Sequence, residues 1–574
     1  MQSAKITLRP PLAILVASAM ALAAATVQAA DASKPSAPTQ RPGHAAIASA
    51  HNLATDAGLE VIAKGGNAFD AAIAVIATLA VVEPESSGIG GGGLMLLHRA
   101  SDAKDSMLDA RETAPAASST ALYLDANGAL DRDKSINGPL SAAIPGQPAA
   151  LVWLAKNYGK LQLKQSLAPA IRIARAGFKP SSKFLSGIAR RQKIMERFPA
   201  SVALYTVDGQ PPKAGWVFKN PDIAATLERI AEQGDDGFYR GEFAQKLVDG
   251  VRAAGGNWTL ADLESYRVKI RDPITIDYRG WRIVTAPPPS SGGIALAEML
   301  NILSGYDLAS LDPAHRTHLE IEAMRRAFRD RAEYLGDPDY VTVPVAELTS
   351  PLYAAGLRAG IHPDKATPSD MLPPYLVDEQ GNNTSHFSII DADGNMVGST
   401  QTVNLSFGSA MVVAGTGFVL NNEMDDFALK AGAPNAFGLL GGDANAPKPG
   451  HRPLSSMTPS FVIGKDHVGV IGTPGGSRII TMVLEGILSF IDGDSVDKVT
   501  AKPRFHHQYL PDVVSAEQGA FSEDEVKKLQ AMGHIVNAGE SRWGLMNVVG
   551  WDRKTNTLHA ASDPRSDVGS GRVD

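Results

Sequence analysis

The chain has 574 residues, of which 44% are hydrophobic and 20% are charged, and its formal net charge at pH 7 is −7. This composition is typical of a soluble globular protein with an ample core, and the acidic balance without a basic cluster argues against nucleic acid or anionic membrane as a partner. The sequence contains no cysteine, which excludes disulfides, thiolate metal sites and a cysteine nucleophile.

The first 30 residues have the layout of a secretory signal peptide. Lys5 and Arg9 give a positive start, residues 12–25 are apolar and rich in alanine, and Ala29-Ala30 offers a small-residue cleavage site. A membrane anchor is the alternative, but the apolar run is short for a membrane span. We therefore expect export to the periplasm or the medium, with residues 1–30 removed.

Helices are predicted over much of the first 360 residues. A helix over 51–64 stops at Gly65-Gly66, and Asn67 can then cap a second helix that reaches residue 82. This second helix is apolar on nearly every face, which predicts a buried helix that is too short to span a membrane. Further helices are predicted over 166–175, 222–232, 241–254, 294–303 and 315–335.

The glycine-rich stretch 86–93 raises the question of a phosphate-binding loop. No Gly-Lys-Ser or Gly-Lys-Thr sequence closes it, and its glycine spacing precedes an apolar strand at 94–98 instead of a helix. We expect these glycines to permit a close backbone approach within a sheet, and we predict no nucleotide site here.

The stretch 384–403 has the pattern of a β-hairpin. Phe387 and Ile389 alternate with polar residues, as in a half-buried strand, and a turn at 391–395 leads to a returning strand. Strands that alternate with helices downstream indicate a layered α/β arrangement. These strands are predicted around 411–420, 460–472 and 545–560, and the helices near 477–491 and 522–532.

Several short sequence blocks follow one another in a characteristic order. They are GGNAFDAA at 65–72, GIGGG at 88–92, RETAP at 111–115, TSHFS at 384–388, NNEMDDF at 421–427, RPLSSM at 452–457, GTPGGSR at 472–478 and PRFHH at 503–507. From about residue 44 to residue 566, the chain resembles the γ-glutamyltranspeptidase family of N-terminal-nucleophile hydrolases.

The resemblance implies a four-layer αββα sandwich, built from both parts of a chain that cleaves itself. The expected pieces are the signal peptide 1–30, a large subunit at 31–383 and a small subunit at 384–574, which together form one intertwined catalytic domain. Cleavage of the Asn383–Thr384 bond would give Thr384 a free α-amine.

The chemistry expected of the family explains why that amine matters. A threonine hydroxyl is a poor nucleophile until a base removes its proton, and the N-terminal amine of the same residue can be that base. The resemblance implies that Thr384 attacks the γ-carbonyl of glutathione or related γ-glutamyl compounds. The resulting ester would pass to water, or to the amine of an amino acid or dipeptide.

The resemblance also assigns the remaining site residues. Gly475 and Gly476 match the oxyanion hole, and Thr402 matches a second threonine close to the nucleophile. The candidates that bind the substrate's α-carboxylate are Arg111, Ser455 and Ser456, and those that bind its α-ammonium are Asn404, Glu423 and Asp426. Of these, Arg111 and Asp426 are expected to matter most and Glu423 least.

Each of these motifs also has a purely structural interpretation. The Gly475-Gly476 pair and the Ser455-Ser456 pair are compatible with turns, Arg111 with a surface ion pair to Glu112, and residues 425–426 with a solvated acidic pair.

Two positions depart from the family pattern. Ser385 replaces a second threonine after the nucleophile and keeps a hydroxyl group. Phe437, in the segment 434–443 that matches a lid over the site, stands where a tyrosine is usual, which predicts a lid without a hydroxyl latch.

No metal or cofactor is expected. The stretch 391–395 hints at a calcium loop, but its glycine comes too early and the later glutamate is missing. His506-His507 has no partners at zinc spacing.

Two alternatives to a γ-glutamyl transferase stay open. A relative of the glutaryl-cephalosporin acylase type would keep Thr384 and the glycine pair but change the residues that bind the α-amino group. A periplasmic binding protein for γ-glutamyl peptides would not need Thr384 and would remain uncut.

Overall fold

Two β-sheets form the centre of the structure, a computed structural model that describes residues 40–372, 384–430 and 433–574. Sixteen strands lie in these ranges. In chain order they are β1 Ala46–Ser49, β2 Gly92–Arg99, β3 Lys104–Ala110, β4 Lys269–Arg271, β5 Ile274–Tyr278, β6 Trp281–Thr285, β7 Ser385–Ile390, β8 Met396–Thr402, β9 Ser460–Ile463, β10 His467–Gly472, β11 Phe505–His506, β12 Val514–Glu517, β13 Val536–Gly539, β14 Asn547–Asp552, β15 Thr557–Ser562 and β16 Ser570–Val573.

One sheet has seven strands in the order β16-β1-β7-β8-β2-β3-β4, and the second has six in the order β15-β14-β10-β9-β6-β5. Neighbouring strands in both sheets are antiparallel. Strands β7 and β8 of the first sheet contact β10 and β14 of the second, so the two sheets pack face to face. A small third sheet joins β11, β12 and β13.

Eighteen α-helices lie in the same described ranges. They are α1 Asn52–Ala63, α2 Ala68–Val82, α3 Arg132–Ile136, α4 Gln147–Asn157, α5 Leu163–Ala176, α6 Ser182–Met195, α7 Pro199–Tyr205, α8 Pro221–Gln233, α9 Asp236–Tyr239, α10 Gly241–Ala253, α11 Leu260–Ser265, α12 Gly292–Leu303, α13 Pro313–Tyr334, α14 Val345–Leu348, α15 Pro351–Ala359, α16 Ile479–Ile491, α17 Val496–Ala501 and α18 Glu523–Ala531.

Helices cover the outer face of each sheet. Helix α2 contacts β7 and β8 and packs against α1, α4 and α5, whereas α16 contacts β10 and α12 contacts β5. The predicted four layers of helix, sheet, sheet and helix are therefore confirmed. The helices predicted from apolar periodicity are also confirmed, with ends that differ by a few residues, and Asn67 caps α2 by accepting from two backbone amides.

The alternating pattern of β7 determines what each of its faces touches. Phe387 and Ile389 belong to the core shared with α2, whereas the Ser388 Oγ turns to the second sheet and donates to the Asn547 carbonyl at 3.0 Å. Because a slip of one residue would exchange these two faces, burial on both sides fixes the register of β7.

A five-residue turn joins β7 to β8, as the sequence predicts. The Asp391 carboxylate accepts hydrogen bonds from the backbone amides of Asp393 and Asn395, and Gly394 has a φ of 88°. This positive φ is a conformation that glycine adopts without steric cost. The hairpin brings residue 384 opposite residue 402, since Ser385 pairs with Gln401.

The prediction of a strand around 411–420 is wrong. Only an isolated bridge joins Val412 to Val419, and the chain between them turns at Gly415 and Gly417, whose φ angles are 71° and 77°. These two glycines and the hydroxyl of Thr416, which donates to the backbone three residues earlier, favour a turn over a continuous strand.

The glycine-rich stretch does permit a close backbone approach. A Cβ atom at Gly91 would lie 2.0 Å from the Thr402 carbonyl oxygen, and one at Gly90 would lie 2.1 Å from the Val419 carbonyl oxygen. No larger residue fits at either position without moving the neighbouring backbone.

Residues Arg41–Asp574 form one compact unit. The predicted signal peptide and Asn383 lie outside the described residues. Among the described helices, none combines the length and the apolar character that a membrane crossing requires.

Candidate active site

Thr384 lies directly before β7 and is buried, with 4% of its surface exposed. Its hydroxyl donates to the hydroxyl of Thr402 at 3.2 Å, and the Thr402 hydroxyl also accepts from the Asn404 amide at 2.8 Å. Thr402 is the last residue of β8, so the pairing of the hairpin strands brings the two hydroxyl groups together.

Most of the predicted site residues meet at one small cavity, which has a free volume of about 30 Å³. Glu423 and Gly475 are not among the lining residues and lie just beside them. This space holds a few water molecules and is too small for a γ-glutamyl group. The predicted residues that line it are Arg111, Thr384, Thr402, Asn404, Asp426, Phe437, Ser455, Ser456 and Gly476.

Arg111 is buried among three carboxylates. Its Nη1 donates to Glu423 Oε2 at 2.6 Å, its Nη2 donates to Asp426 Oδ2 at 2.5 Å, and Glu112 Oε2 lies 3.5 Å from Nη1. Because the side chain is only 1% exposed, the surface ion pair that the sequence also allowed is excluded. The cluster contains three carboxyl groups and one guanidinium, so a carboxylate is available for a second cation next to Arg111.

The pKa values of the cluster follow from burial and from this charge balance. Burial alone would lower the pKa of Arg111, but the charges of Glu423, Asp426 and Glu112 raise it. Burial raises the pKa of Glu423 well above its usual value and raises that of Glu112 to about 7. Arg111 therefore keeps its charge, while Glu423 and Glu112 are the carboxyl groups that most readily become neutral.

Asn404 and Ser456 each have a polar group available to the cavity. Asn404 has a φ of 74° and donates its Nδ2 to the Asn422 carbonyl at 2.9 Å, which leaves Oδ1 as the side-chain atom that can accept from a ligand. The buried Ser456 Oγ has no hydrogen-bond partner in the described part of the chain. The Ser455 Oγ accepts from the Met457 amide at 3.0 Å.

Gly475 and Gly476 form a turn with two successive positive φ angles, 147° and 59°. The Gly475 carbonyl accepts from the Arg478 amide, whereas the amides of the two glycines donate no hydrogen bond within the described residues. Gly476 lines the cavity of Thr384. Two adjacent free amides are the kind of donor that an oxyanion requires.

The segment 433–443 closes over the cavity. The Phe437 ring packs on Gly476, because a Cβ atom added there would lie 2.4 Å from the ring. The Asn435 Nδ2 donates to Asp426 Oδ1 at 3.1 Å, and the Ala436 amide donates to Asp425 Oδ2 at 2.7 Å. Hydrogen bonds to two carboxylates therefore hold this lid closed. The sequence predicted a lid without a tyrosine hydroxyl, but it did not indicate these bonds.

Sequence reasoning missed the group behind Thr384. The Ser385 Oγ donates to Glu83 Oε2 at 2.7 Å, and the Ser87 Oγ donates to Ser385 Oγ at 3.4 Å. All three residues are buried. An acidic residue at the end of the apolar helix α2 was the available signal, since a buried carboxylate requires a partner.

One further group in the described chain has metal-ligand spacing, formed by His318, Glu322 and His534. The Glu322 carboxylate is paired with Arg325 and Arg326, and His318 Nδ1 lies 2.7 Å from His534 Nε2, a hydrogen-bond distance. Two arginines already neutralise the single carboxylate, so these contacts fit a buried polar cluster better than a cation site. None of these residues lines the cavity of Thr384.

The sequence also matches a known protein family. Residues 54–572 match the family Gamma-glutamyltranspeptidase. The chain belongs to this family.

Curated relatives agree over nearly the whole length of the chain. A glutathione hydrolase proenzyme of Pseudomonas sp. (strain A14) is 42% identical over 536 residues, which cover 91% of this chain and 93% of that protein. A glutathione hydrolase proenzyme of Escherichia coli (strain K12) is 40% identical over 528 residues, covering 91% and 90%.

The solved structure of a protein with a different name has the same fold. The cephalosporin acylase from Bacillus halodurans superposes with a TM-score of 0.81 at 30% identity, covering 96% of this chain and 99% of that chain. The chain is thus a gamma-glutamyltranspeptidase family enzyme with the N-terminal-nucleophile fold.

Proposed function

We propose that this enzyme hydrolyses glutathione and transfers γ-glutamyl groups, with Thr384 as the nucleophile. One observation carries the assignment of residues. Thr384 lies in a single cavity with a buried arginine–carboxylate cluster and a turn that has free amides. The names of the relatives that are 42% and 40% identical support the substrate.

The first step is cleavage of the Asn383–Thr384 bond. Thr384 Oγ attacks the preceding carbonyl, and the resulting ester is hydrolysed to leave a large subunit at 31–383 and a small subunit at 384–574. The new α-amine has a pKa of about 7.7–8.0 in model compounds, which suits a general base near neutral pH. The word proenzyme in the names of the relatives supports this processing.

In the cleaved enzyme the α-amine of Thr384 takes the proton of its own hydroxyl. The Oγ then attacks the γ-carbonyl carbon, and the amides of Gly475 and Gly476 stabilise the oxyanion. Collapse breaks the C–N bond and gives the leaving amine the proton, so that a γ-glutamyl ester remains on Thr384. Water, or the amine of an amino acid or dipeptide, then cleaves this ester.

The arginine–carboxylate cluster recognises the two charges on the α-carbon of the substrate. Arg111, with Ser455 and Ser456, binds the α-carboxylate, while the α-ammonium is bound by Asp426 and the Oδ1 of Asn404, with Glu423 behind them. Arg111 already touches Asp426, so the substrate inserts into an existing ion pair. Asp426 supplies the negative charge that pairs with the ammonium.

The chemistry of these steps is carried by hydroxyl, amine and amide groups, and we invoke no metal or cofactor. We propose that the protein is exported and that residues 1–30 are removed, leaving no membrane anchor. The layout of those residues supports this location.

The first experiment is an intact-mass spectrum of the purified protein beside a Thr384→Ala variant. We expect two chains from the native sequence, the smaller beginning at Thr384, and one uncut chain from the variant. Hydrolysis of γ-glutamyl-p-nitroanilide should fall at least about a thousandfold in Thr384→Ala. Thr384→Ser, which keeps a hydroxyl, should still cleave itself. An uncut native chain would instead support the binding protein.

The structural match to a cephalosporin acylase makes acyl-group specificity the second question. A glutaryl group has the length of a γ-glutamyl group but no α-ammonium, so it lacks the charge that Asp426 is proposed to bind. We expect γ-glutamyl anilides to be hydrolysed at least about a hundredfold faster than glutaryl anilides. Equal or reversed rates would favour an acylase.

A further inference from the structure

A second arginine is buried close to the cavity of Thr384, and the mechanism described above gives it no role. Arg331 lies in the last turn of α13, and its side chain is only 4% exposed. Its Nε donates to the Ser291 hydroxyl at 3.0 Å, and its Nη1 donates to the Leu440 carbonyl of the lid at 3.4 Å. Both acceptors are neutral, and within the described residues Arg331 makes no ion pair.

An unpaired charge is costly to bury. The C-terminal end of a helix favours a cation, but this effect is smaller than the cost of removing an ion from water. Burial lowers the pKa of Arg331 to about 10, even though the charge of Asp426 acts to raise it. Arg331 therefore keeps its charge at neutral pH, and Asp426 is the carboxylate of the described chain that stabilises this charge.

Arg331 and Arg111 are both connected to the segment that carries Ser455. Arg111 donates to the carbonyls of residues 453–454, at 3.2 Å and 3.4 Å. The Ser291 hydroxyl, which accepts from Arg331, donates to the next carbonyl, that of Ser455, at 2.7 Å. Two positive charges therefore adjoin the residues proposed to bind the α-carboxylate of the substrate.

The binding of a substrate changes the charge around Arg331. The α-ammonium pairs with Asp426, which is the carboxylate that stabilises Arg331 in the empty site. An amine without a carboxylate would therefore leave Arg331 without that support. A substrate with both charges on its α-carbon brings a carboxylate into the site together with the ammonium, so a negative charge again lies near Arg331.

We propose that Arg331 is a specificity-determining residue, which makes the site select substrates with a free α-carboxylate. It attracts the carboxylate across Ser455 without touching it, as a second positive charge in addition to Arg111, because charges interact over longer distances where water is excluded. Arg331 is in this sense a positioning residue, and the hydroxyl of Ser291 holds its guanidinium in place. This inference rests on the proposed γ-glutamyl transfer.

The test compares two donors that differ in the charge of one group. γ-Glutamyl-p-nitroanilide has a free α-carboxylate, and its α-carboxamide analogue has nearly the same shape without that charge. In cleaved Arg331→Gln we expect kcat/KM for the first donor to fall about tenfold, mainly through a higher KM, and kcat/KM for the carboxamide not to fall. Arg331→Lys keeps the charge and should retain most of the native preference.

Two controls separate the effect of this charge from a change in folding. Arg252 is exposed on α10 and does not line the cavity of Thr384, so Arg252→Gln should leave kcat/KM for both donors at the native value. The cleavage of each variant into two chains and its Tm report on folding. Because an unpaired buried charge opposes folding, we expect Arg331→Gln to have a Tm no lower than that of the native enzyme.

Several results would overturn the role of Arg331. An equal loss with both donors, or an unchanged kcat/KM for the γ-glutamyl donor, would show that its charge does not select the carboxylate. A loss in Arg331→Lys as large as that in Arg331→Gln would assign the effect to hydrogen-bond geometry, and failure of Arg331→Gln to fold would show that the charge is already compensated. A native enzyme that hydrolyses neither donor would instead overturn the proposed function.

Discussion

The guanidinium of Arg111 has several carboxylates around it, and these do not have equal roles. Asp426 lines the cavity and also accepts from the lid, whereas Glu423 contacts Arg111 from behind and has one carboxylate oxygen without a partner in the described residues. Burial raises the pKa of Glu423, so this residue is readily neutral. Asp426 is therefore the more important charge for a bound ammonium.

Replacing Asp426 should be far more harmful than replacing Glu423. We expect Asp426→Asn to lower kcat/KM for γ-glutamyl-p-nitroanilide at least about a hundredfold, because an amide offers the α-ammonium no counter-charge and leaves Arg111 short of a partner. Glu423→Gln should lower it less than about tenfold. Steady-state kinetics of the two cleaved variants provide the measurement.

A second substrate shows whether the effect of Asp426→Asn is on the ammonium. A glutaryl anilide has no α-ammonium, so its slower hydrolysis should fall much less in this variant than that of the γ-glutamyl compound. An equal loss with both substrates, or a larger loss in Glu423→Gln, would contradict the roles assigned here.

The sequence was sufficient to identify which residues assemble at the cavity, but not how they are bonded. Family blocks locate Thr384 and Arg111 along the chain, and the resemblance implies that Thr402 lies close to Thr384, as the register of the hairpin strands shows. The bond from Ser385 to Glu83 joins residues 302 positions apart. No local periodicity contains such a contact, since it depends on how α2 packs against β7.

At the scale of single elements, the lid is held closed by its own side-chain hydrogen bonds. The Asn435 Oδ1 accepts from the amides of Phe437 and Leu439, while its Nδ2 donates to Asp426. One side chain thus shapes the lid and attaches it to the residue proposed to bind the substrate's ammonium. Since the closed cavity has only about 30 Å³, the lid must open before a γ-glutamyl group enters.

Asn435→Ala should make this opening more frequent. The variant loses three hydrogen bonds, each with a net value of about 1 kcal/mol, and local opening is governed by such small differences. We expect chymotrypsin to cut after Phe437 about tenfold faster or more in the variant, as followed by mass spectrometry. Asn157→Ala, at an exposed asparagine of α4, is the control, and equal rates in the two variants would mean that another contact holds the lid.

Strands and helices with a clear period were predictable, and the segment after β8 was not. Residues 411–413 and 418–420 are runs of apolar side chains that are buried, yet they pack around a turn and not in a sheet. Because these residues are buried, they are as apolar as the residues of a strand. The positive φ angles of Gly415 and Gly417 turn the backbone between them. Composition alone does not distinguish these two outcomes.

At the scale of the whole molecule, the two predicted subunits share both sheets. The small subunit supplies β7 to β16 and the large subunit supplies β1 to β6, and four antiparallel pairs join them: β1 with β16, β1 with β7, β2 with β8, and β6 with β9. Cleavage before Thr384 breaks one peptide bond and none of these ladders.

We therefore expect the cleaved enzyme to remain a heterodimer without any covalent link. In size-exclusion chromatography under native conditions, both chains should elute together, at the same volume as uncut Thr384→Ala. Denaturing electrophoresis should separate them. Elution of the two chains as separate species under native conditions would show that the shared sheets do not hold the subunits together.

Part of the pH dependence of folding stability should come from a buried carboxyl group that the proposed mechanism does not use. Glu85 is fully buried, both of its carboxylate oxygens lack a hydrogen-bond partner in the described residues, and burial followed by the charge of Glu83 raises its pKa from 4.5 to about 8. Below pH 4.5, the group is protonated in both the folded and the unfolded chain. As the pH rises, the unfolded chain ionises first.

The stability that Glu85 provides in its neutral form is therefore complete below its unfolded pKa and is lost as the pH rises through about 8. Glu85→Gln keeps the shape of the side chain without the ionisation. We expect the Tm of Glu85→Gln to exceed that of the native protein by an amount that grows from pH 5 to about pH 8, as measured by scanning calorimetry across that range. Glu347→Gln, at an exposed glutamate, is the matched control, and a difference independent of pH would show that Glu85 is ionised in the folded enzyme.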